Sequence, residues 1–365
     1  MNPTIIEYEN LRLSNEVFFK EYKEGFSDFL DSGWYVLGNG VASFENEYSS
    51  YCQSSYAVGV ASGLDALILA INAFDFPTGS EIIVPANTYI ATIMAVVRNG
   101  FKPVLVEPDI DTYNIDPNLI EEKINHNTRA ILVVHLYGKC CDMDPIQALA
   151  NKYSLEVIED VAQSHGAKYK GKVAGSFGVG CHSFYPTKNL GALGDGGAVT
   201  TKDENYASKI KMLRNYGSEV KYYNNVLGYN SRLDEIQAYF LSIKLKYLND
   251  INNHKRNLAK IYLDNLSSEL ILPKVDDDFY DVFHIFNVRH SERDKIKGFL
   301  LAEGVKTEIH YPVPPHKQKS MNGFLSGNFP LSEKIHSTTL SLPISFFHTE
   351  EDIYRVIESI NKFFK

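Results

Sequence analysis

Between Tyr56 and Thr201 the sequence repeats one pattern, in which short β-rich apolar runs alternate with longer helical stretches. Several runs are apolar at every position, which is typical of strands buried on both faces of a sheet. Alternation of strand and helix favours a mostly parallel sheet covered by helices, so the pattern predicts an α/β fold. The seven strand candidates are YAVGVAS, EIIVPA, KPVLVEP, RAILVVHLYG, LEVIED, CHSFYP and GGAVTT.

The pattern changes after Thr201. LDEIQAYFLSIKLKYLNDINNHKRNLAKIYLDNL predicts one long helix or two abutting ones, and DVFHIFNVRH predicts an alternating strand. RDKIKGFLLAEGV predicts a helix closed by Gly304, and EEDIYRVIESINKFF predicts a last helix. We therefore expect a large domain with an N-terminal arm at residues 1–245 and a smaller α/β domain at residues 246–365.

The bulk composition excludes several classes of protein. The 365 residues carry a net charge of −9, so we expect no general attraction to nucleic acid or anionic membranes. No basic N-terminal region precedes an apolar run, and no run approaches the ~18 apolar residues of a membrane span. The four cysteines form no CxxC pair and the histidines no HExxH motif, which predicts free thiols, no metal site and a cytoplasmic location.

A single lysine, Lys188, lies in the glycine- and alanine-rich stretch SFYPTKNLGALGDGGAV. A lysine can be a solvated charge, a phosphate ligand or an amine that forms a Schiff base with an aldehyde. The small neighbours leave room for a bulky group, and the segment joins two apolar runs at an expected sheet edge. Ligands bind at such edges in α/β proteins, so Lys188 is a candidate for chemistry.

Asp160 closes the apolar run LEVIED, at another strand end. A buried carboxylate needs a partner, which is usually a salt bridge or a helix cap. A protonated pyridine nitrogen is the alternative, because pyridoxal phosphate (PLP) enzymes combine a Schiff-base lysine with such an acid. Gln163, three residues later, is a candidate for the ring hydroxyl.

A third group of residues follows strand ends and suits a phosphate. In VASGLDALILA a strand is followed by Ser62 and Gly63 and then by a helix, whose first N–H groups bind phosphate well. Ser62 as a plain N-cap is the structural alternative. Ser183 is a second hydroxyl for the same phosphate, and Tyr89 either stacks on a ring or packs in the core. Lys188 lies 28 residues after Asp160, which completes an ordered set.

On this set the sequence resembles the DegT/DnrJ/EryC1/StrS sugar aminotransferases, PLP enzymes of the fold type I aspartate aminotransferase class. Lysine at position 188 favours transamination, since the dehydratase relatives carry histidine there. The resemblance extends over almost the whole chain, through SGWYVLGNGVASFENEY, VASGLDALILA, VIEDVAQSHGA, SFYPTKNLGALGDGGAVTT, GYNSRLDEIQA, HYPVPPHKQ and LSLPISFFHTEEDI.

The resemblance implies roles for individual residues. Lys188 would bind the PLP aldehyde and act as general acid and base, and Asp160 would pair with the pyridine nitrogen. It also implies a homodimer with shared sites, in which Asn230 reaches the phosphate of the neighbouring subunit's PLP. Leu64 replaces the threonine common in the family, but the position can act through its N–H. The other cofactor contacts would be Ser62, Gly63 and Ser183 at the phosphate, Gln163 at the ring oxygen and Tyr89 on the ring.

The substrate expectation also rests on the resemblance. LGDGGA and HYPVPPHKQ are most similar to the branch that aminates C3 of a dTDP-3-keto-6-deoxyhexose with L-glutamate as donor. The product would be a 3-amino-3,6-dideoxyhexose for surface polysaccharides or glycosylated metabolites, with amination at C4 as the alternative. The expected sugar contacts are His310, Tyr311 and Tyr185, with His316, Lys221, Tyr222 and Tyr35 as weaker candidates and Trp34 beside them.

Three other classes fit the sequence less well. A nicotinamide oxidoreductase needs GxGxxG before a helix, whereas Gly191, Gly194, Gly196 and Gly197 do not form that motif and precede a strand. A zinc enzyme lacks its ligand motifs. A non-catalytic PLP or sugar binder would not need both Lys188 and Asp160.

Overall fold

Residues 5–365, the part of the chain that the computed structural model describes, form twelve α-helices and fourteen β-strands. The helices are α1 (Leu11–Glu16), α2 (Phe19–Ser32), α3 (Asn39–Tyr51), α4 (Gly63–Ala73), α5 (Ile90–Arg98), α6 (Met143–Tyr153), α7 (Glu204–Leu213), α8 (Glu235–Leu245), α9 (Leu248–Asn265), α10 (Arg293–Ala302), α11 (Pro330–Thr338) and α12 (Glu350–Phe363). The strands are β1 (Tyr56–Val60), β2 (Glu81–Pro85), β3 (Lys102–Val106), β4 (Thr128–Val134), β5 (Glu156–Asp160), β6 (Lys168–Tyr169), β7 (Lys172–Val173), β8 (Val179–Ser183), β9 (Gly197–Thr201), β10 (Ser218–Val220), β11 (Tyr223–Asn224), β12 (Phe279–Tyr280), β13 (Phe286–Arg289) and β14 (Thr339–Leu342).

A seven-stranded sheet occupies the centre, in the order β1-β9-β8-β5-β4-β2-β3. The pairs from β3 to β8 are parallel, and β9 runs antiparallel to both of its neighbours. Each of the seven runs named from the sequence overlaps one of these strands, so the predicted α/β fold with a mostly parallel sheet is confirmed.

Apolar side chains cover both faces of this sheet. Ile82 and Val84 of β2 belong to one buried cluster, which includes α4 and α5. Ile83, between them, belongs to a second cluster, which includes α6. Successive side chains of a strand point to opposite faces, so the two clusters lie on either side of the sheet. Burial on both faces explains why the strands read as continuous apolar runs.

A second sheet lies toward the C-terminus, where β13 pairs with β14 antiparallel. Its apolar residues form a buried cluster with α9, α10 and α12. Within this cluster, Phe286 and Leu342 are fully buried. Gly304 follows α10 with a φ of 82°, as expected of the glycine that closes a helix. The division into residues 1–245 and 246–365 stays a prediction.

The segment predicted as one long helix or two abutting ones is two helices, α8 and α9. The structure also adds elements that the sequence did not predict. Strands β10 and β11 form an exposed hairpin, and β12, β6 and β7 form a small sheet that joins residues 168–173 to residues 279–280. Strands of two or three residues are too short to show periodicity, so sequence alone does not reveal them. None of the helices in residues 5–365 combines the length and apolar character needed to cross a bilayer.

Glu159 fixes the end of β5 from inside the fold. Its carboxylate, fully buried, accepts hydrogen bonds from the N–H groups of Gly175, Phe177 and Gly178, each at 2.7 Å, and lies 2.9 Å from His135 Nε2. Burial opposes its ionisation, but the hydrogen bonds outweigh burial and hold the pKa of Glu159 below its usual value. The strand end that precedes Asp160 is therefore held rigidly.

We expect Glu159→Gln to lower the free energy of unfolding by about 2–4 kcal/mol, because an amide cannot accept from four donors and leaves buried N–H groups without partners. Urea denaturation of both proteins measures the difference. Glu156→Gln is the matched control at the exposed start of the same strand, where we expect a change of less than about 0.5 kcal/mol. Equal effects at the two positions would contradict this role for Glu159.

Candidate active site

Four segments that the sequence singled out meet at one edge of the central sheet. Asp160 and Ser183 are the last residues of β5 and β8. Ser62 and Tyr89 follow β1 and β2 and are the N-cap residues of α4 and α5. These four strands run in the same direction, so their carboxyl ends share the edge at which α/β proteins bind ligands.

The start of α4 forms a cradle for an anion. A Cβ atom at Gly63 would lie 2.4 Å from Ser183 Cβ, so only glycine allows the serine hydroxyl to approach the helix end. Ser62 Oγ accepts the N–H of Asp65 at 3.1 Å, and the first intrahelical bond runs from Ala66 N to Ser62 O. Gly63 and Leu64 precede those bonds, which leaves their N–H groups for a ligand. Ser62 is thus an N-cap, and its role toward a phosphate stays a prediction.

Asp160 is buried, and its carboxylate accepts hydrogen bonds from the backbone that follows β5 and from α5. Thr92 Oγ1 donates to Asp160 Oδ2 at 2.8 Å, and Ala162 N donates to Oδ1 at 3.1 Å. Burial raises the pKa of Asp160, and the two hydrogen bonds and nearby Lys188 oppose that rise. A cation against this carboxylate would favour its charged form, which is the property required of a partner for a protonated ring nitrogen.

Lys188 lies in the loop between β8 and β9, half-buried, with its N–H bonded to Tyr185 O at 2.8 Å. Burial lowers the pKa of Lys188 to about 8, although the charge of Asp160 raises it. Within residues 5–365 its Nζ makes no hydrogen bond or ion pair. An amine with this pKa is neutral in an appreciable fraction of molecules near neutral pH, as a nucleophile and base requires.

Gln163 links the large sheet to the C-terminal part of the chain. Its Oε1 accepts Tyr137 N at 2.7 Å, and its Nε2 donates to Tyr311 Oη at 2.8 Å. The rings of Tyr89 and Tyr311 pack at 5.0 Å between centroids. Gln163 and Tyr89, which are expected at the cofactor, therefore both contact Tyr311, which is expected at the sugar.

His310 lies beside the same group. Tyr137 Oη donates to its carbonyl oxygen, and Ser341 Oγ lies 2.9 Å from its Nδ1. Burial, reinforced by the charge of Lys188, lowers the pKa of His310 to about 4, so the ring is neutral at physiological pH. Tyr185 is 53% exposed at the tip of the Lys188 loop, which leaves its hydroxyl free for a ligand.

Asn230 lies in a different environment. It is exposed and lines an open groove of about 730 Å³ together with Ser62, Val36 and Arg232 of the same chain. The next residue, Ser231, donates to Asp65 Oδ2 at 2.7 Å and thereby ties this segment to the start of α4. A reach into a neighbouring subunit stays a prediction.

Four weaker candidates contact other parts of the chain. His316 Nε2 lies 3.0 Å from Glu333 Oε1, and its ring packs on Phe329, which is the arrangement of a structural histidine. The other candidates lie on the surface, where Lys221 Nζ is 5.1 Å from the ring centroid of Tyr222 and Tyr35 packs against Phe29. Within residues 5–365 these side chains form no hydrogen bond or ring contact with Lys188 or Asp160.

Sequence reasoning missed several residues of the site. Thr92 binds Asp160, and Tyr137 joins Gln163 to His310. His284 lies in the polypeptide just before β13, where its carbonyl accepts Lys255 Nζ. Thr92 was detectable, since it lies three residues after Tyr89 at the start of a helix, on the same face. Tyr137 and His284 reach the site only through tertiary packing.

Comparison with known proteins identifies the family to which the chain belongs. The chain matches the DegT/DnrJ/EryC1/StrS aminotransferase family profile over residues 18–361. It is 52% identical over 361 residues to a dTDP-3-amino-3,6-dideoxy-alpha-D-galactopyranose transaminase of Aneurinibacillus thermoaerophilus, covering 98% of this chain and 99% of that one. The chain belongs to the DegT/DnrJ/EryC1/StrS aminotransferase family.

Two further relatives support this membership. A dTDP-3-amino-3,4,6-trideoxy-alpha-D-glucose transaminase of Streptomyces venezuelae is 42% identical over 362 residues, 98% of this chain and 96% of that protein. The crystal structure of NtdA from Bacillus subtilis with the bound cofactor PMP, the amine form of PLP, has a TM-score of 0.92 and 32% identity, and covers 99% of this chain and 86% of that one. The predicted fold type I architecture, PLP cofactor and aminotransferase class are confirmed.

The residues at the sheet edge fit PLP. The cradle at Gly63 and Ser183 offers donors for a phosphate, Lys188 offers an amine without a partner, and Asp160 offers a buried carboxylate. These are the phosphate, aldehyde and ring-nitrogen partners that the cofactor needs. The assignment of individual residues to these three groups remains a proposal.

We expect Asp160→Asn to lower the pKa of Lys188 below about 8, because the mutation removes the negative charge that raises it. The pH dependence of reductive methylation of Lys188 in the cofactor-free protein, followed by peptide mass spectrometry, measures this shift. Asp195→Asn is the control, since Asp195 is exposed in the same loop and should leave the midpoint unchanged. An unchanged or raised midpoint in Asp160→Asn would refute the coupling.

Proposed function

We propose that the protein transfers an amino group from L-glutamate to C3 of a dTDP-3-keto-6-deoxyhexose and so makes a dTDP-3-amino-3,6-dideoxyhexose. The observation that carries this proposal is the 52% identity, over nearly the full length of both chains, to a transaminase named for a dTDP-3-amino-3,6-dideoxy sugar. The relative from Streptomyces venezuelae is likewise named for a 3-amino sugar. The donor and the keto sugar would use the site in turn, as in a ping-pong mechanism.

Asp160 and Lys188 would carry the chemistry. When bound, PLP supplies an aldehyde carbon and a cationic ring that absorbs electrons from the reacting carbon. The Asp160 carboxylate, held by Thr92 and Ala162, would keep the ring nitrogen protonated. Lys188 Nζ would take a proton from the α-carbon of the donor and later deliver one to C3 of the sugar. Its lowered pKa, about 8, lets it serve as both base and acid.

The sugar would bind on the side formed by the C-terminal part of the chain. Tyr311, held by Gln163, and neutral His310 lie next to the Lys188 charge, and Tyr185 is exposed at the loop tip. A neutral imidazole adds no positive charge, so it does not lower the pKa of Lys188 further. We place the reaction in the cytoplasm, since all four cysteines are buried free thiols.

A second copy of this chain would complete the site. Large apolar side chains are exposed in the segments that precede the groove residues Val36 and Asn230, as is typical of an interface between subunits. Trp34 is 63% exposed, Tyr222 is 85% exposed and Leu227 is 93% exposed. A homodimer would bury these residues and bring Asn230 of one subunit toward the phosphate cradle of the other.

The position of amination is testable with both ketones. We expect the holoenzyme and glutamate to convert dTDP-3-keto-6-deoxyhexose at least about 100-fold faster than the 4-keto isomer, because transamination needs the ketone carbon held at Lys188. NMR of the product identifies the aminated carbon, and Lys188→Ala is the inactive control. Amination only at C4 would overturn the substrate while leaving the enzyme class. Failure of both ketones would favour a non-catalytic binder.

Mixed dimers test the shared site. The Lys188→Ala homodimer and the Asn230→Ala homodimer should each have low activity when PLP is limiting, because both sites of each homodimer are defective. If Asn230 serves the neighbouring subunit, the mixed dimer has one intact site and should recover about half of the wild-type activity per dimer.

If Asn230 instead serves its own subunit, the mixed dimer contains no intact site and activity stays low. Co-expression with two affinity tags gives the mixed species, and the rate at limiting PLP is the measurement. The control pairs Lys188→Ala with Tyr229→Ala, at the position adjacent to Asn230. This pair tests for simple subunit exchange.

A further inference from the structure

A small cavity of about 30 Å³ lies behind the loop that carries Lys188. Its polar lining comes from the N-terminal arm, the Lys188 loop, α8, α9 and the segment after β14, and includes Glu9, Ser14, Lys188, Lys244, Lys255 and Ser345. We call this cavity the lysine pocket. It lies apart from the cradle at Gly63, and of the predicted cofactor residues it shares only Lys188.

The two helix lysines are buried without ionic partners. Lys244 and Lys255 are 4% and 5% exposed. Lys244 Nζ has one long hydrogen bond, 3.3 Å to Asn15 Oδ1, and Lys255 Nζ donates to Asn189 Oδ1 at 3.0 Å and to His284 O at 3.1 Å. All of these acceptors are neutral, and within residues 5–365 neither lysine forms an ion pair.

Glu9 is the single carboxylate in the lining, and neutral donors already occupy it. Asn10 N and Ser14 Oγ each donate to Glu9 Oε1 at 2.9 Å, and Ser345 Oγ donates to Oε2. Burial lowers the pKa of Lys244 and of Lys255 to about 8 each, with Glu9 opposing the shift. Even without Lys188, two buried amines therefore face one carboxylate that already accepts three hydrogen bonds.

A buried charge is costly unless it is paired. We propose that the lysine pocket binds one small monovalent anion, of the size of chloride, between Lys244, Lys255 and the hydroxyl groups of the lining. Its volume of about 30 Å³ exceeds the ~10–15 Å³ that a single water-sized group needs, so one small ion fits. A water molecule would fit, but it would leave the excess positive charge unpaired.

The site would hold together parts of the chain that are distant in sequence. Lys255 binds Asn189, the residue after Lys188, and Glu9 belongs to the arm that pairs with the C-terminal part of the chain through Ile6 and Val305. An anion bound there would tie the arm and the α8–α9 segment to the loop of the catalytic lysine. This proposal does not depend on which sugar the enzyme uses.

Thermal unfolding of the holoenzyme tests the proposal. At constant ionic strength, replacing gluconate with chloride or bromide should raise the melting temperature by about 2 °C or more, because these ions bind the folded state alone. Lys244→Met should abolish the increase, and Lys246→Met, exposed two residues later, should retain it. An equal response to gluconate and chloride, or an increase that survives Lys244→Met, would overturn the proposal.

Crystals of the wild-type holoenzyme grown in bromide give an answer that needs no variant. We expect one anomalous peak within hydrogen-bond distance of Lys244 Nζ or Lys255 Nζ. A pocket without such a peak would refute the proposal. A peak without any chloride-specific increase in melting temperature would mean binding at crystal concentration only, and it would also refute a structural anion.

Discussion

The active site depends on placing one amine and one carboxylate at the same buried sheet edge. Lys188 and Asp160 each lose solvation there, and each shifts the pKa of the other toward its charged form. The two groups shift each other's pKa only at short range. The fold must therefore hold two loops and a strand end in fixed positions. Glu159 does this for β5, because four donors converge on its carboxylate one residue before Asp160.

The second structural requirement is contact between the central sheet and the C-terminal part of the chain. Gln163, beyond β5, donates to Tyr311, and Tyr137 donates to the carbonyl of His310. These bonds hold residues of the C-terminal part of the chain against the sheet edge that carries Asp160.

The cofactor side of the site was largely predictable. Asp160 and Ser183 end strands, Ser62 and Tyr89 follow strands by two and four residues, and parallel strands bring such positions together. The sugar side was less predictable. His316 has the same residue type as His310 and lies only six residues away, yet it pairs with Glu333 and packs on Phe329. Sequence distance does not say which side of a loop faces the site.

The sequence by itself determined the central sheet, the order of its strands along the chain and the nature of the chemistry. Those features follow from local patterns: apolar runs of strand length, glycines where backbone must approach closely, an aspartate at a strand end and a lysine in a glycine-rich loop. Tertiary structure alone decided that Tyr137 supports the site, and that Lys244 and Lys255 are buried behind the Lys188 loop. From sequence alone, the lysines of an amphipathic helix are expected to face solvent. Only the packing of other segments over them removes them from water.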